Sequence, residues 1–164
     1  MTRSGGARKI VSRDDLIRRA AEERAAGRTL AFANGCFDLL HVGHIRYLES
    51  ASREADILIV AINDDASVRA LKGAGRPVLS AQDRAELVAA LRFVDYVVIF
   101  PEPTVGPLLT ALRPEVHCKG TDYTVESVPE RDIVLAYGGR TAIVGDPKDH
   151  STRDLLSRMA RGPR

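Results

Sequence analysis

The 164-residue chain has few of the features that mark secreted or membrane-inserted proteins. Its two cysteines, Cys36 and Cys118, form no disulfide framework and are typical of intracellular thiols. Its longest apolar run, Ile57 to Ile62, is far shorter than the roughly 20 residues of a membrane span. Met1 to Gly6 is polar and lacks the apolar core of a signal peptide. These absences predict a cytoplasmic protein with no membrane partner.

The chain also has little net charge. Its formal net charge is +2, and the excess of basic residues lies in residues 1–30 and 148–164. The region between them has a net charge of −5. Because proteins that bind nucleic acids usually concentrate basic charge on one surface, we expect no nucleic-acid partner.

Two common nucleotide-binding motifs are absent from the sequence. No glycine-rich lysine loop of the Walker type occurs. Gly73 and Gly75 fail the dinucleotide-binding fingerprint, because Val78 stands where its third glycine would be.

The composition is that of a globular chain. Apolar residues make up 45% of the sequence and charged residues 28%, and 164 residues are too few for two domains of ordinary size. We therefore expect a single domain over residues 1–164. An N-terminal helical extension at 1–28 and a catalytic core at 29–160 are expected within it.

Strand-like apolar runs alternate with amphipathic helical stretches, which is typical of a parallel α/β sheet. The almost continuous apolar run Asp56 to Ile62 predicts a central strand covered on both faces. Serines followed by aspartate three residues later, at Ser12, Ser80 and Ser151, predict three helix starts. The remaining strands are predicted at Leu30 to Ala33, Val94 to Phe100, Glu115 to Cys118 and Thr141 to Val144. We expect about five parallel strands with helices on both faces.

The loop after the first strand carries the clearest chemical signal. It runs from Asn34 to His44 and places His41 and His44 on one side of a helix that begins near Gly43. Ligands of parallel sheets bind beyond the carboxyl ends of the strands, and helix N-termini attract phosphate. Gly43 would let a bulky anion approach the backbone, and the imidazoles could stabilise charge on phosphate oxygens. Cys36 and the two histidines are zinc ligands by type, but their spacing matches no usual zinc site.

The stretch FANGCFDLLHVGHIRYLESA at 32–51 resembles the signature of the HxGH nucleotidyltransferases. Within that superfamily, the chain is most similar to the heptose 1-phosphate adenylyltransferases. Four further segments carry this narrower resemblance: INDDASVRALKGAGRPV at 62–78, AQDRAELVAALRFVDYVV at 81–98, KGTDY at 119–123 and AYGG at 136–139. The resemblance implies an α/β fold, a Rossmann-like three-layer parallel sheet of the HxGH nucleotidyltransferase type.

The resemblance also implies a reaction and its participants. Members of this family transfer AMP from ATP to D-glycero-D-manno-heptose 1-phosphate, with Mg²⁺, and give ADP-heptose and pyrophosphate. The chain is therefore expected to be an adenylyltransferase that binds ATP and a sugar 1-phosphate and forms a homodimer. Many members are fused to a sugar kinase, and a chain of this length is expected to act without one.

Individual residues receive roles from the same resemblance. The implied catalytic residues are His41, His44, Lys72 and Lys119. The implied nucleotide-binding residues are Cys36, Phe37, His41, Gly43, His44, Lys119, Gly120, Asp122, Ser151 and Thr152. The implied acceptor-binding residues are Asp38, Lys72 and Arg76, and ordering of the loop is the alternative role of Asp38. No residue is implied as a direct metal ligand.

Two other functions remain open at this point. A cytidylyltransferase acting on a polyol phosphate, such as glycerol 3-phosphate, would keep the enzyme class and change both substrates. A nucleotide-binding module without turnover is the second alternative, and the intact His41, His44, Lys72 and Lys119 argue against it.

Three single positions have their own expectations. Thr121 stands where the family usually has a second glycine, and a β-branched residue fits poorly at positive φ, so the turn is expected to differ. Arg153 replaces a usual threonine and is expected to contact a phosphate or to face solvent. His117 alternates with apolar neighbours on a strand and is expected to pack inside the protein.

Overall fold

A computed structural model describes residues 7–147 and 149–162 of the chain. Met1 to Gly6, whose sequence predicts no signal peptide, lie outside the described residues. The described chain forms a five-stranded sheet with the strand order β3-β2-β1-β4-β5, in which all neighbouring strands are parallel. The strands are β1 (Leu30–Gly35), β2 (Ile57–Asn63), β3 (Tyr96–Phe100), β4 (Val116–Lys119) and β5 (Arg140–Ile143). The predicted parallel sheet is therefore confirmed.

Helices connect the strands and lie on both faces of the sheet. They are α1 (Arg13–Ala25), α2 (Val42–Ser52), α3 (Asp65–Lys72), α4 (Ala81–Ala89), α5 (Gly106–Leu112), α6 (Arg131–Ala136) and α7 (Thr152–Arg161). Three of these helices begin at the predicted serines. Ser12, Ser80 and Ser151 each accept a hydrogen bond from the backbone N–H three residues later, at 3.2, 3.1 and 3.1 Å. No helix in the described ranges is long and apolar enough to cross a membrane.

Two apolar cores hold the layers together. One core packs α2 and α4 onto the sheet and includes Leu48 and Val88. The other packs α1, α5 and α6 onto the opposite face and includes Leu16, Phe32 and Leu109. Each of these buried side chains contributes roughly 1.5–3 kcal/mol through removal of apolar surface from water. Every residue of β2 is buried, as predicted for a central strand.

The predicted strand boundaries differ most at the end of β1 and at the start of β3, by two residues each. Strand β3 begins at Tyr96, whereas the apolar pattern predicted a start at Val94. Val94 is buried, but its N–H donates to the Leu91 carbonyl in a turn rather than to a neighbouring strand. An apolar pattern predicts which residues are buried. Because buried residues precede the first hydrogen-bonded residue of β3, the pattern placed the start of the strand too early.

The strand order creates a crevice beside β1. The chain passes from β1 to β2 and β3 on one side and then returns to β4 on the other side of β1. At such a reversal, the loops beyond the carboxyl ends diverge to opposite faces of the sheet and leave room for a ligand.

Candidate active site

A cleft of about 1290 Å³ opens over the carboxyl ends of the strands. The residues that end β2, β3 and β4, which are Asn63, Phe100 and Lys119, all line it. So do all thirteen residues to which the resemblance gives a role in catalysis, nucleotide binding or acceptor binding. Its volume is sufficient for two small phosphorylated substrates. The structure therefore brings the candidate residues together, and their contacts with substrates stay predictions.

The cleft has two sides, which pack against helices on opposite faces of the sheet. We call residues 36–44, 76–79 and 151–154 the histidine side. We call Asn34, Lys119, Tyr123, Glu130 and residues 103–105 the lysine side. Phe37 on the histidine side packs into the core below α2, whereas Val105 on the lysine side packs into the core below α5.

The two histidines form a stacked pair at the start of α2. Their ring centroids are 3.8 Å apart. The Gly43 N–H donates to His41 Nδ1 at 3.1 Å, and the His41 N–H donates to His44 Nδ1 at 3.3 Å. Because each Nδ1 accepts a hydrogen bond, each neutral ring carries its proton on Nε2. The backbone thus fixes two imidazole donors of the kind that can stabilise a phosphate oxygen.

Gly43 leaves room for the ring of His41. A Cβ at this position would lie 2.9 Å from His41 Cε1 and 3.0 Å from His41 Nδ1. The glycine therefore makes room for the imidazole, and its N–H is occupied by that ring. On the other histidine, the Phe37 ring packs edge-on at 5.4 Å, so Phe37 restricts the rotation of His44.

Asp38 links three segments of the histidine side. Its carboxylate accepts hydrogen bonds from the Val78 and Leu79 N–H groups, at 2.8 and 3.1 Å, and from Arg76 Nε at 2.8 Å. Its carbonyl accepts from the Thr152 hydroxyl at 2.8 Å. Burial alone would raise the pKa of this carboxyl, but the hydrogen bonds and Arg76 outweigh burial and lower it. This geometry favours the loop-ordering role of Asp38 over contact with an acceptor.

Arg84 supports the histidine side from beneath. Its side chain is fully buried. The guanidinium donates to the carbonyls of Cys36 at 2.6 Å, Asn63 at 2.8 Å and Leu79 at 3.1 Å. It also pairs with Asp65 at 2.8 Å. One side chain therefore ties the ends of β1 and β2 to the starts of α3 and α4.

The lysine side contains a nearly buried cation. Lys119 is 9% exposed, and its Nζ lies 4.5 Å from the centre of the Tyr123 ring. Burial lowers the pKa of Lys119, and the negative charges of Glu130 and Asp122 oppose this effect. Glu130 Oε2 is buried and has no hydrogen-bond partner among residues 7–147 and 149–162.

The other predicted residues lie along the rim of the cleft. Lys72 ends α3 and is exposed. The Ser151 hydroxyl caps α7 and donates to Asp154 at 2.8 Å, while Arg153 is exposed at the same helix start. Gly120 lies close to Asp122, because a Cβ on this glycine would be 3.0 Å from Asp122 Oδ1.

The turn at Thr121 does not require the positive φ that glycine favours. The non-glycine residues with positive φ in the described chain are Phe37, Leu39 and Arg113, so Thr121 avoids that conformation. Its hydroxyl instead donates to the Asp146 carbonyl at 2.8 Å.

Sequence reasoning missed two polar residues of the lysine side. Asn34 lies just before the end of β1, and Glu130 lies at the start of α6. The alternation of Asn34 with the buried Phe32 was a usable signal, because it places both residues on the same face of β1. Among the described residues, no group of three or more His, Cys, Asp or Glu could hold a metal ion.

Comparisons with known proteins agree with this geometry. Residues 32–160 match the sequence model of the cytidylyltransferase-like family. The chain belongs to this family. The fold and the nucleotidyltransferase class predicted from the HxGH motif are thereby confirmed.

Two bifunctional proteins illustrate the relationship. The bifunctional protein HldE of Syntrophotalea carbinolica is 46% identical over 151 residues, which are 92% of this chain and 31% of that protein. The bifunctional protein HldE of Geobacter sulfurreducens is 43% identical over 156 residues, which are 95% of this chain and 32% of that protein. The chain thus spans about a third of the length of these curated relatives.

A solved structure shares the fold. The lipopolysaccharide core biosynthesis protein from Thermoplasma volcanium aligns with a TM-score of 0.65 and 22% sequence identity. The alignment covers 74% of this chain and 100% of that chain.

Proposed function

We propose that this chain transfers AMP from ATP to D-glycero-D-manno-heptose 1-phosphate and releases pyrophosphate. The observation that carries the transfer is the stacked pair of His41 and His44, whose Nδ1 atoms both accept backbone hydrogen bonds. The choice of substrates is supported by the resemblance of the motifs at 62–78 and 119–123 to the heptose 1-phosphate adenylyltransferases and by the similarity to the bifunctional protein HldE.

The proposed reaction is an in-line displacement at phosphorus. An oxygen of the sugar 1-phosphate attacks the α-phosphorus of ATP, and the bond from that phosphorus to the bridging α–β oxygen breaks. The electron pair of the broken bond leaves with pyrophosphate. No covalent enzyme intermediate is required, so the protein contributes alignment and stabilisation of charge.

The side chains of the cleft can supply this stabilisation. His41 and His44 would donate from Nε2 to phosphate oxygens that gain charge. Two lysines, Lys72 and Lys119, would neutralise charge on the triphosphate. The nucleotide would be bordered by Cys36, Phe37, Gly120 and Asp122. The start of α7 would lie near the outer phosphates through Ser151 and Thr152. Arg76 would extend from its ion pair with Asp38 toward the acceptor. Mg²⁺ would enter with ATP and screen its negative charge.

The proposal also covers the assembly, the location and the division of the chain. We propose a homodimer, a cytoplasmic location, a catalytic core at 29–160 and an N-terminal helical extension at 1–28. The packing of Leu16 and Ala20 from α1 into the core supports a structural role for that extension.

Pyrophosphate release tests the proposed substrates. The purified chain is mixed with ATP, CTP, GTP or UTP and with a panel that contains both anomers of the heptose 1-phosphate, glycerol 3-phosphate and unphosphorylated heptose. We expect Mg²⁺-dependent release with ATP and one heptose 1-phosphate anomer, and none with unphosphorylated heptose.

Two results would replace this assignment. A kcat/KM at least tenfold higher for CTP with glycerol 3-phosphate would identify a cytidylyltransferase. Absence of turnover with every pair, together with tight nucleotide binding, would identify a binding module.

A further inference from the structure

The crevice between β1 and β4 contains a hydrogen-bonded pair that the proposed function does not use. Asn34 lies on β1 and lines the cleft, and His117 lies on β4 and is fully buried. The His117 Nε2 and the Asn34 Oδ1 are 2.9 Å apart. The Phe32 ring packs against the imidazole with a centroid distance of 5.9 Å. The ring of His117 is therefore held in place by the strand and by its neighbours.

The chemistry of this contact fixes the direction of the hydrogen bond. An amide oxygen only accepts, so His117 Nε2 must carry the proton and donate. The neutral imidazole then has a lone pair, and no proton, on Nδ1. This agrees with the burial of Nδ1, which has no hydrogen-bond partner among the described residues. Burial lowers the pKa of His117 to about 3, so the ring stays neutral at physiological pH.

The fixed oxygen determines where the other end of the amide lies. With Oδ1 held by His117, the Asn34 Nδ2 and its two N–H groups occupy the opposite position. Within residues 7–147 and 149–162, no hydrogen bond uses Asn34 Nδ2. In this tautomer the His117 Nε2 proton would face the amide N–H groups after an amide flip, so the pair favours the orientation in which these donors point away from His117.

The neighbouring strand supplies a positive charge. Ala33 pairs with Cys118 in the parallel register, so Asn34 and Lys119 follow one step further on adjacent strands. Both residues line the cleft. An amide donor beside an ammonium group is suited to an anionic oxygen, because both groups offer only N–H donors there.

We propose that Asn34 is a phosphate-binding residue of the transfer reaction and that His117 is its positioning residue. The inference rests on the proposed function only in that a nucleotidyl transfer must be measurable. The ligand is a phosphate oxygen, which can come from the nucleotide or from the acceptor. In the orientation that His117 favours, the Asn34 amide can donate a hydrogen bond to either phosphate.

The first experiment substitutes Asn34 with alanine and aspartate. Kinetics are measured with the nucleotide and acceptor that the wild type turns over fastest. Loss of one hydrogen bond to a charged group predicts a 10- to 100-fold lower kcat/KM for Asn34→Ala. Asn34→Asp should lose more, because its carboxylate repels phosphate. Values within twofold of the wild type for both variants would overturn the proposal.

The same variants distinguish the two sources of the phosphate. Calorimetric titration with ATP and Mg²⁺ measures nucleotide binding without turnover. A weaker ATP complex of Asn34→Ala assigns the amide to the nucleotide. An unchanged ATP affinity with a raised KM for the acceptor assigns it to the acceptor phosphate, and a loss confined to kcat assigns it to the oxygens that gain charge during transfer.

The second experiment tests the positioning role of His117. His117→Phe keeps a buried ring and removes the donor, so we expect a several-fold lower kcat/KM in the wild-type background. His117→Gln keeps an N–H donor and should recover most of that loss. Neither substitution should lower the rate further when Asn34 is already alanine, because His117 acts through Asn34.

A matched control separates positioning from packing. Cys118→Val changes the next buried residue of β4, which belongs to the opposite core, and should leave kcat/KM unchanged. An equal loss for His117→Phe in the Asn34→Ala background would show a general packing effect and overturn the positioning role. If the wild type turns over no acceptor, the proposed function fails; if it does and the Asn34 variants match it, only this inference fails.

Discussion

The two sides of the cleft use their polar groups differently. On the histidine side, Asp38 accepts three hydrogen bonds through its carboxylate, and Arg84 beneath it donates four. On the lysine side, Glu130 Oε2 is buried without a hydrogen-bond partner among the described residues, and Lys119 lies over an aromatic ring. The first side is fixed by the folded chain itself. The second side contains buried polar groups that lower the stability of the fold and are suited to binding a ligand. Substitutions on the lysine side should therefore change kcat/KM more than the free energy of unfolding.

The largest expected effect is on the support of the histidine side. Arg84→Met would leave the carbonyls of Cys36, Asn63 and Leu79 without their donor. We expect the free energy of unfolding to fall by about 3–5 kcal/mol, because each buried unsatisfied group costs roughly 1–3 kcal/mol. Chemical denaturation measures this change. The exposed Arg92 provides the control, since Arg92→Met should stay within about 0.5 kcal/mol of the wild type.

On the lysine side, we expect the opposite pattern. Lys119→Met removes a charge whose burial is unfavourable, so the free energy of unfolding should stay the same or rise. The value of kcat/KM should fall about 100-fold, because one stabilising group of the phosphates is lost. Denaturation and steady-state kinetics on the same protein sample measure both quantities. A less stable variant with normal turnover would reverse the proposed difference between the two sides.

A smaller effect on stability is expected for Asp38→Asn. The amide keeps the shape and loses the charge that accepts from Arg76 and from two backbone N–H groups, which costs about 2 kcal/mol at pH 7. The pKa of Asp38 is lowered in the folded state, so its contribution is complete above its ordinary value of 3.8. The contribution disappears as the pH falls through the lowered pKa. Denaturation at pH 7 and pH 3 should therefore show a smaller difference between variant and wild type at pH 3.

The smallest expected effect is a shift in pH dependence. Glu130 raises the pKa of Lys119 against the effect of burial. Glu130→Gln removes this charge, so Lys119 should lose its proton at lower pH. The alkaline limb of the kcat/KM profile should then move to lower pH, while the rate near pH 7 changes little. If the alkaline limb did not move, deprotonation of Lys119 would not be the cause of that limb.

Much of the fold was predictable because its signals are local. The continuous apolar run of β2 and the serine caps of α1, α4 and α7 arise within short stretches of sequence. The clustering of His41, Lys119 and Ser151 followed from one general rule, that loops beyond parallel strands meet at one edge.

The remaining features depend on contacts between distant segments. Arg84 looks like an ordinary residue in the first turn of a helix, and its burial becomes visible only when the ends of β1 and β2 lie beside it. His117 and Asn34 are 83 positions apart, so their hydrogen bond has no local signal. The contact between Gly43 and the His41 ring also has no local signal, because the sequence does not predict where that ring lies.

The rate of pyrophosphate release with ATP and heptose 1-phosphate in wild type, His41→Ala and His44→Ala tests the role of the histidine pair most directly. We expect a kcat about 10² to 10³ times lower in each variant, because each loses one donor to the transferring phosphate. The Asn replacements should lose less, since they keep an N–H donor. A single cooperative thermal unfolding transition would show that each variant is folded. Near-normal turnover in a folded His44→Ala protein would contradict the central role of the histidine pair.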